Sequence, residues 1–551
     1  TTARLMELVA GLPQGAIVLP GFDTDLPEET WRILMDHPAP EDHPQFRFAA
    51  LLSRLGLAAG DVITWREESV SDGRNALISL SLRPAPVTNQ WRDEGPELGR
   101  LTDATSGLSL IEAPSQREEA NAIAVALREA VEAGKSAALI TPDRTLGRRV
   151  AAALLRWNIV ADDSSGRPLN QTAPGRFLRQ TARLIGSEIT SEALIALLKH
   201  PLTRTGSGDR GQHLLITRDL ELYLRRKASL HASDDTLDAF AGDDPERRSW
   251  VAWVKSLISI AATEPAPRLG DCLSLHLRLS EAIAAGPDSE GSGGLWDRQA
   301  GRDARSAVDE LTREGQSTTP LPLPDYVALF DRVMAFANSR NPDNARSDVM
   351  IWGTLEARVQ GADIVVLGGL NDGIWPGRPA PDPWLNRRMR QHVGLLIPDR
   401  QIGLSAHDYQ QAVTAPQVIL ARALRDDDAE TVPSRWLNRL VNLLSGLPDQ
   451  AGPDGLAAMR GRGRRLLTIA KGLETPPVSV KAEPRPAPAP PTPVRPTDYS
   501  VTDVERLIRD PYHIYAKRIL RLRPLDPLRV LPDARLRGTV IHEILERTIL
   551  G

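Results

Sequence analysis

Three groups of side chains in this sequence have types and spacings that could do chemistry. Gly134-Lys135-Ser136 ends like a phosphate-binding loop, in which free backbone N–H groups and a lysine cradle phosphate. Such a loop also needs a glycine five residues before the second one, and it must follow a strand and open a helix. Here Glu129 holds that position and the pattern runs helix, triplet, strand, so the triplet reads as a surface turn. No other Walker-type motif is present in the sequence. Two basic runs, Arg387-Arg388-Met389-Arg390 and Arg460-Gly461-Arg462-Gly463-Arg464-Arg465, have the charge density to meet phosphate. They equally have the composition of a solvated helix face or of linker decoration. His542 and Glu546 stand four apart, so on a helix they share a face away from Val540, Ile544 and Leu545. A lone histidine in such a place is usually structural. The one cysteine, Cys272, excludes an internal disulfide framework and a cysteine-only metal cluster, and it reads as a buried small apolar residue.

The elements that must position these groups come from periodicity. At 551 residues, with 41% apolar and 25% charged residues, the chain has the composition of a soluble protein of three or four domains. No run of eighteen apolar residues and no secretory signal is present, so the expected location is cytoplasmic, with no membrane contact. Residue 1 is not Met, which suggests a start inside a longer protein. A net charge of -4 leaves any nucleic-acid contact to local basic patches. Gly15–Asp23 is expected to be a buried strand ending in a loop, and a helix is expected around Phe46 to Leu57. Ala120, Ile123, Leu127 and Val131 mark one helix face, and Ala137 to Ile140 the next strand. Leu146, Val150, Leu154 and Trp157 mark a second helix before a strand beginning at Ile159-Val160. This is the grammar of a parallel α/β sheet. Residues from about 185 to 345 read as a helical insertion. The α/β pattern returns with Ile364–Gly368, a loop rich in Gly and Pro, and a strand at Val418–Leu420. Residues 476–496 have the composition of an extended Pro-rich tether. Beyond it, Ser500 and Asp503 form a capping signature that opens a helix, and Arg537 to Glu546 reads as another.

Three blocks resemble, in order, motifs of UvrD-like superfamily 1 helicases. Ala138 to Arg144 through Ile159 looks like motif IV, LEARVQGADIVVLGGLNDGIWP at 355–376 like motif V, and Ser405 to Arg425 like motif VI. RRVAAALLRW, ADDSSGRPL and DPWLNRRMR are similar to the AddB family, subunits of AddAB helicase–nucleases. Arg537-Gly538 with His542 and Glu546 resembles the R-G-x-x-x-H-x-x-x-E helix of RecB-type PD-(D/E)XK nucleases. The resemblance implies an α/β fold: a degenerate RecA-like helicase domain with a helical insertion, then the start of a nuclease domain. Residues 1–110 would end a first RecA-like domain, 111–185 with 346–445 would form the second, and 186–345 the insertion. Residues 446–497 would be a Pro-rich linker and 498–551 the opening of the nuclease. It further implies that His542 ligates a catalytic Mg²⁺, with Glu546 in its outer shell, and that the remaining carboxylates and a lysine lie beyond Gly551.

The departures from the family pattern carry as much information. The three nucleotide contacts fall at Thr141, Gly361 and Thr414, none of which can clamp a phosphate. No ATP binding is therefore expected in this segment unless Arg144 or Arg358 stands in. Asp510 occupies the place of the first cluster cysteine, so no iron–sulfur cluster is expected. DNA would lie along the strand-end loops, where the candidates are Arg358, Asn371, Trp375, Arg378, Trp384, Arg387, Arg388 and Arg390. Trp375 and Trp384 flank prolines, and such tryptophans are more often local core plugs than base platforms. The implied function is DNA double-strand-break repair as a subunit of an ATP-dependent exonuclease, with an AddA-like partner supplying the motor and this segment inactive alone. The alternatives are a non-enzymatic DNA-binding scaffold similar to RecC, or an active UvrD-like helicase.

Overall fold

The computed structural model describes residues 2–35, 40–64, 72–208, 210–227, 229–287, 289–315, 320–340, 346–358, 360–427, 429–476, 478–529 and 534–550. They divide into two compact units, Thr1–Ser165 with Asn341–Ser479, and Gly166–Arg340 with Val480–Gly551.

The first unit is built on a six-stranded sheet of β1 (Leu108–Ala113), β2 (Ala137–Ile140), β3 (Ala161–Asp163), β4 (Arg346–Trp352), β5 (Ile364–Leu367) and β6 (Gln417–Ala423). The spatial order is β1-β6-β5-β2-β4-β3, and every neighbouring pair is parallel. Its central strands are short runs of Ala, Val, Ile and Leu because both faces are covered, as a parallel sheet requires. Ala137, Leu139 and Val366 face one core with helices α1 (Gln116–Glu132) and α2 (Arg144–Leu154). Ala138, Ile140, Val365 and Leu367 face the other, with α3 (Asp399–Val413) and α4 (Arg435–Ser445). The sheet and helices are those of a mixed α/β protein and agree with a RecA-like arrangement. The α1 start is fixed by Ser115, whose hydroxyl accepts the Glu118 N–H.

Several sequence expectations change. Gly15–Asp23 forms no strand. The Asp23 N–H goes to the Gln45 side chain rather than to a ladder, and Phe22 stacks on Trp31 and packs against Phe48 in a small core. Among the described residues before Leu108 there are helices and turns and no strand. The helix expected there is present as Phe46–Leu55, ended by Gly56 in the left-handed region. Strands β1 and β4 were not anticipated.

The stretch read as linker from 446 contains instead a 23-residue helix, α5 (Gly452–Glu474). Leu456, Met459, Gly463, Leu466 and Ala470 recur at helical spacing and are buried. Leu456 and Met459 belong to one core and Leu466 and Ala470 to the other, so α5 lies across the edge strand β1. The exposed tether is confined to the stretch after Glu474, of which 478–497 is almost wholly exposed.

The second unit is helical, as expected of the insertion, but begins at Gly166 rather than at 186. The reason is the helix Ala173–Ala182, which buries Phe177, Leu178 and Ala182 in the same core as Leu198, Leu220, Val254 and Phe330. Cys272 is buried in this core. Ser500 caps the helix Val501–Arg509 by accepting the Asp503 N–H, as the spacing predicts. Among the described residues no helix is long and apolar enough to cross a membrane.

Candidate functional site

The loops that follow the parallel strands and the segment before α3 bring together the residues with chemical interest. A cavity of about 230 Å³ opens on one face of the sheet, lined among others by Ile140, Arg358, Gly361, Asp408, Gln411 and Thr414. Gly361 and Thr414 both line it. Thr141 is not in the lining. It is buried at the end of β2, its N–H bonded to the Trp352 carbonyl and its hydroxyl accepting the Asp143 N–H.

The cation of this cavity is Arg358, and it is already matched. Its Nε donates to Asp408 Oδ1 at 2.6 Å and its Nη2 to Oδ2 at 3.1 Å, a bidentate pair on a buried carboxylate. Burial pushes the Asp408 carboxyl up, and Arg358 opposes that shift. Beside it, burial lowers the His407 imidazole to about 3, with Arg47 and Arg358 acting in the same direction, so His407 is neutral at physiological pH. Asp408 was not picked out in the sequence, because fifty residues separate it from its partner and no local pattern links them.

At the C-terminal ends of β1, β2 and β5 sits a second buried carboxyl, Glu119, which accepts the Gly369 N–H at 2.8 Å. Burial raises it to about 7, against the Gly369 hydrogen bond, with Asp143 raising it further and Arg422 and Arg149 lowering it. It braces the loop after β5 against α1. The same loop holds Asn371, which is buried and accepts Arg422 Nε at 3.1 Å. Trp375 is 1% exposed and donates its indole N–H to the Ser405 carbonyl, so it is a core plug with no ring face left for a base. Arg378 is exposed at the end of this turn, close to Gly373.

The remaining candidates lie on an excursion between this turn and α3. Arg390 is bound to the Asp382 carboxylate and donates its Nε to the Leu396 carbonyl, so its charge holds the loop and is not offered to phosphate. Arg387 pairs with Asp399 at 3.0 Å, while Arg388 is exposed. Trp384 is 86% exposed. The second basic run has no linker to decorate. Arg460 pairs with Glu112 at 2.8 Å, Arg462 donates to the Leu108 and Thr105 carbonyls, and Arg465 pairs with Glu129 at 2.6 Å. The Gly134-Lys135-Ser136 triplet is a turn, as expected, with the Ser136 N–H and hydroxyl both donated to Asp363.

In the second unit His542 and Glu546 are exposed on α6 (Ala534–Leu550). Among the described residues no group of three or more His, Cys, Asp or Glu side chains could hold a metal ion. Asp510 ends the helix Val501–Arg509, its N–H bonded to the Arg506 carbonyl.

No family model matches the chain. It is similar to an uncharacterized protein of Rickettsia felis, 24% identical over 447 residues, covering 80% of this chain and 47% of that protein. Uncharacterized proteins of Rickettsia bellii, 23% identical over 436 residues, and Rickettsia conorii, 22% identical over 385, are covered to 47% and 41% of their length, against 78% and 70% of this chain. The chain thus spans less than half of the length of each of these relatives.

Proposed function

We propose that this chain is part of an AddB-type subunit of a DNA break-repair helicase–nuclease, in which the sheet unit binds DNA without using nucleotide. The observation that carries the reading is the neutralised cavity beside the sheet. Gly361 and Thr414 bring no charge to it, and Arg358, the nearest cation able to stand in, is held bidentate by Asp408. Phosphoryl transfer depends on positive groups aimed at the migrating phosphate, and a guanidinium already spent on a carboxylate is a poor one. Arg144, the other stand-in, is exposed at the start of α2.

Support for DNA as ligand comes from the family resemblance and from exposed cations beyond the C-terminal ends of β2 and β5. Arg144 and Arg378 stand there, where a backbone phosphate would find them. Trp375, Asn371, Arg358 and Arg390 are committed to the fold and leave this role. An AddA-like subunit would then supply the motor. The exonuclease part of the reading rests on the helix pattern around His542. His542 and Glu546 offer two donors where Mg²⁺ takes an octahedral set, so α6 by itself does not fit the ion.

The test is ATP turnover by the purified chain, with and without single-stranded DNA. No hydrolysis above a no-protein blank is expected in either case. DNA-stimulated hydrolysis that disappears in Arg358→Ala would overturn the reading, since Arg358 would then be a phosphate contact and not an internal strut.

A further inference from the structure

We infer that the excursion from Asp382 to Pro398 is a preformed seat for a protein partner, one that presents an apolar surface bordered by acidic residues. The inference stands on the surface of the sheet unit and does not require the AddB reading. Five large apolar side chains, Trp384, Met389, Val393, Leu395 and Leu396, are exposed within a short stretch. Single exposed apolar residues are ordinary, but a cluster of this kind marks a surface meant to be covered.

The loop is built to hold those side chains outward. Asp382 accepts the N–H groups of Trp384 and Leu385, and Asn386 caps the six-residue helix Arg387–His392 by accepting the Met389 N–H. Arg390 joins the two ends, reaching Asp382 on one side and the Leu396 carbonyl on the other, while the Leu395 N–H returns to the Arg390 carbonyl. The chain therefore spends its hydrogen bonds internally to fix Trp384 near Leu395 and Leu396. Fixing such a surface in advance removes ordering cost from a binding event.

Two features choose a protein over nucleic acid. Trp384 is one ring among five exposed side chains; Met389, Val393, Leu395 and Leu396 have no π face on which a base could stack, so most of the bare hydrocarbon here gains from another hydrocarbon surface. The charge around them is positive but thin. Residues 382–398 contain three arginines and one acidic residue, and Arg390 and Arg387 are paired with Asp382 and Asp399. Exposed Arg388, and Arg387 through its weak surface pair, then meet carboxylates at the border of an apolar face.

The experiment places a photo-crosslinking amino acid at Val393 in the full-length protein in its native host, with the same group at exposed Leu215 as control. The crosslinked peptide is then sequenced. The expected result is one protein segment with apolar residues flanked by Asp or Glu. A synthetic copy of that segment should bind the purified chain, and at least tenfold more weakly after Arg387→Glu with Arg388→Glu or after Leu395→Glu with Leu396→Glu. Circular dichroism of each variant checks that the fold is kept. Crosslinks to DNA, to a second copy of this chain, or at no more than the control level would overturn the inference. So would a captured segment whose binding ignores both sets of substitutions.

Discussion

Two arginine-rich runs of nearly the same composition have opposite fates in this molecule. Arg460 to Arg465 is absorbed into α5, with Arg460, Arg462 and Arg465 each meeting a partner on the sheet unit. Arg387 to Arg390 stands on an excursion whose apolar neighbours are exposed. The difference does not lie in the arginines. It lies in the residues between and around them: in α5 buried positions recur every three or four residues from Leu456 to Ala470, which gives a face that must pack, and the arginines bordering it are drawn onto β1 and α1. The six-residue helix Arg387–His392 is too short to build such a face. A basic run is thus a weak sign of phosphate binding until the register of the hydrocarbon beside it is known.

The two glycines of the first run lie in opposite surroundings. A Cβ at Gly463 would stand 1.8 Å from the Leu110 carbonyl oxygen, whereas at Gly461 it meets nothing within 4 Å. Gly463→Ala should therefore cost about 3 kcal/mol or more by forcing α5 off β1. Gly461→Ala should gain up to about 1 kcal/mol from helix propensity. Urea unfolding of the two variants checks this, and equal effects would mean that α5 is not seated on the strand.

A smaller contrast sets one arginine of each run against the other. Arg462 is the donor for two backbone carbonyls, so Arg462→Ala should destabilise by about 2 kcal/mol, the range for hydrogen bonds from a charged group. Arg388→Ala, at an exposed position, should stay within about 0.5 kcal/mol. Denaturation midpoints that move together would erase the distinction between a structural and a surface run.

Much of the sheet was legible because its strands are written locally. Ala137–Ile140, Ile364–Leu367 and the core of β6 are short apolar runs bounded by turn residues, and the helices between them show clean periodicity. β1 was missed although Leu108, Leu110 and Ile111 are fully buried, and β4 because its apolar half, Val349 to Trp352, follows a polar start. α5 was lost to composition, since its glycines and arginines resemble linker until the seven-residue repeat of Leu456, Gly463 and Ala470 is counted. At the candidate site the limits were of another kind. Nothing local in the sequence says that Arg358 will find Asp408, or that Trp375 will be sealed while Trp384 is bare, because those outcomes depend on chain segments tens of residues away.

On the proposed function, DNA lies against the C-terminal edge of the sheet without nucleotide chemistry. The decisive measurement is the salt dependence of fluorescence anisotropy with a labelled oligothymidine, for the parent chain and for Arg144→Ala with Arg378→Ala. The expected result is nucleotide-independent binding by the parent and weaker binding by the double variant. The slope of log affinity against log salt should become shallower by about 1.4, as expected when two phosphate contacts on a single strand are lost. Parental affinity and slope in the double variant, or no binding by the parent at low salt, would contradict it.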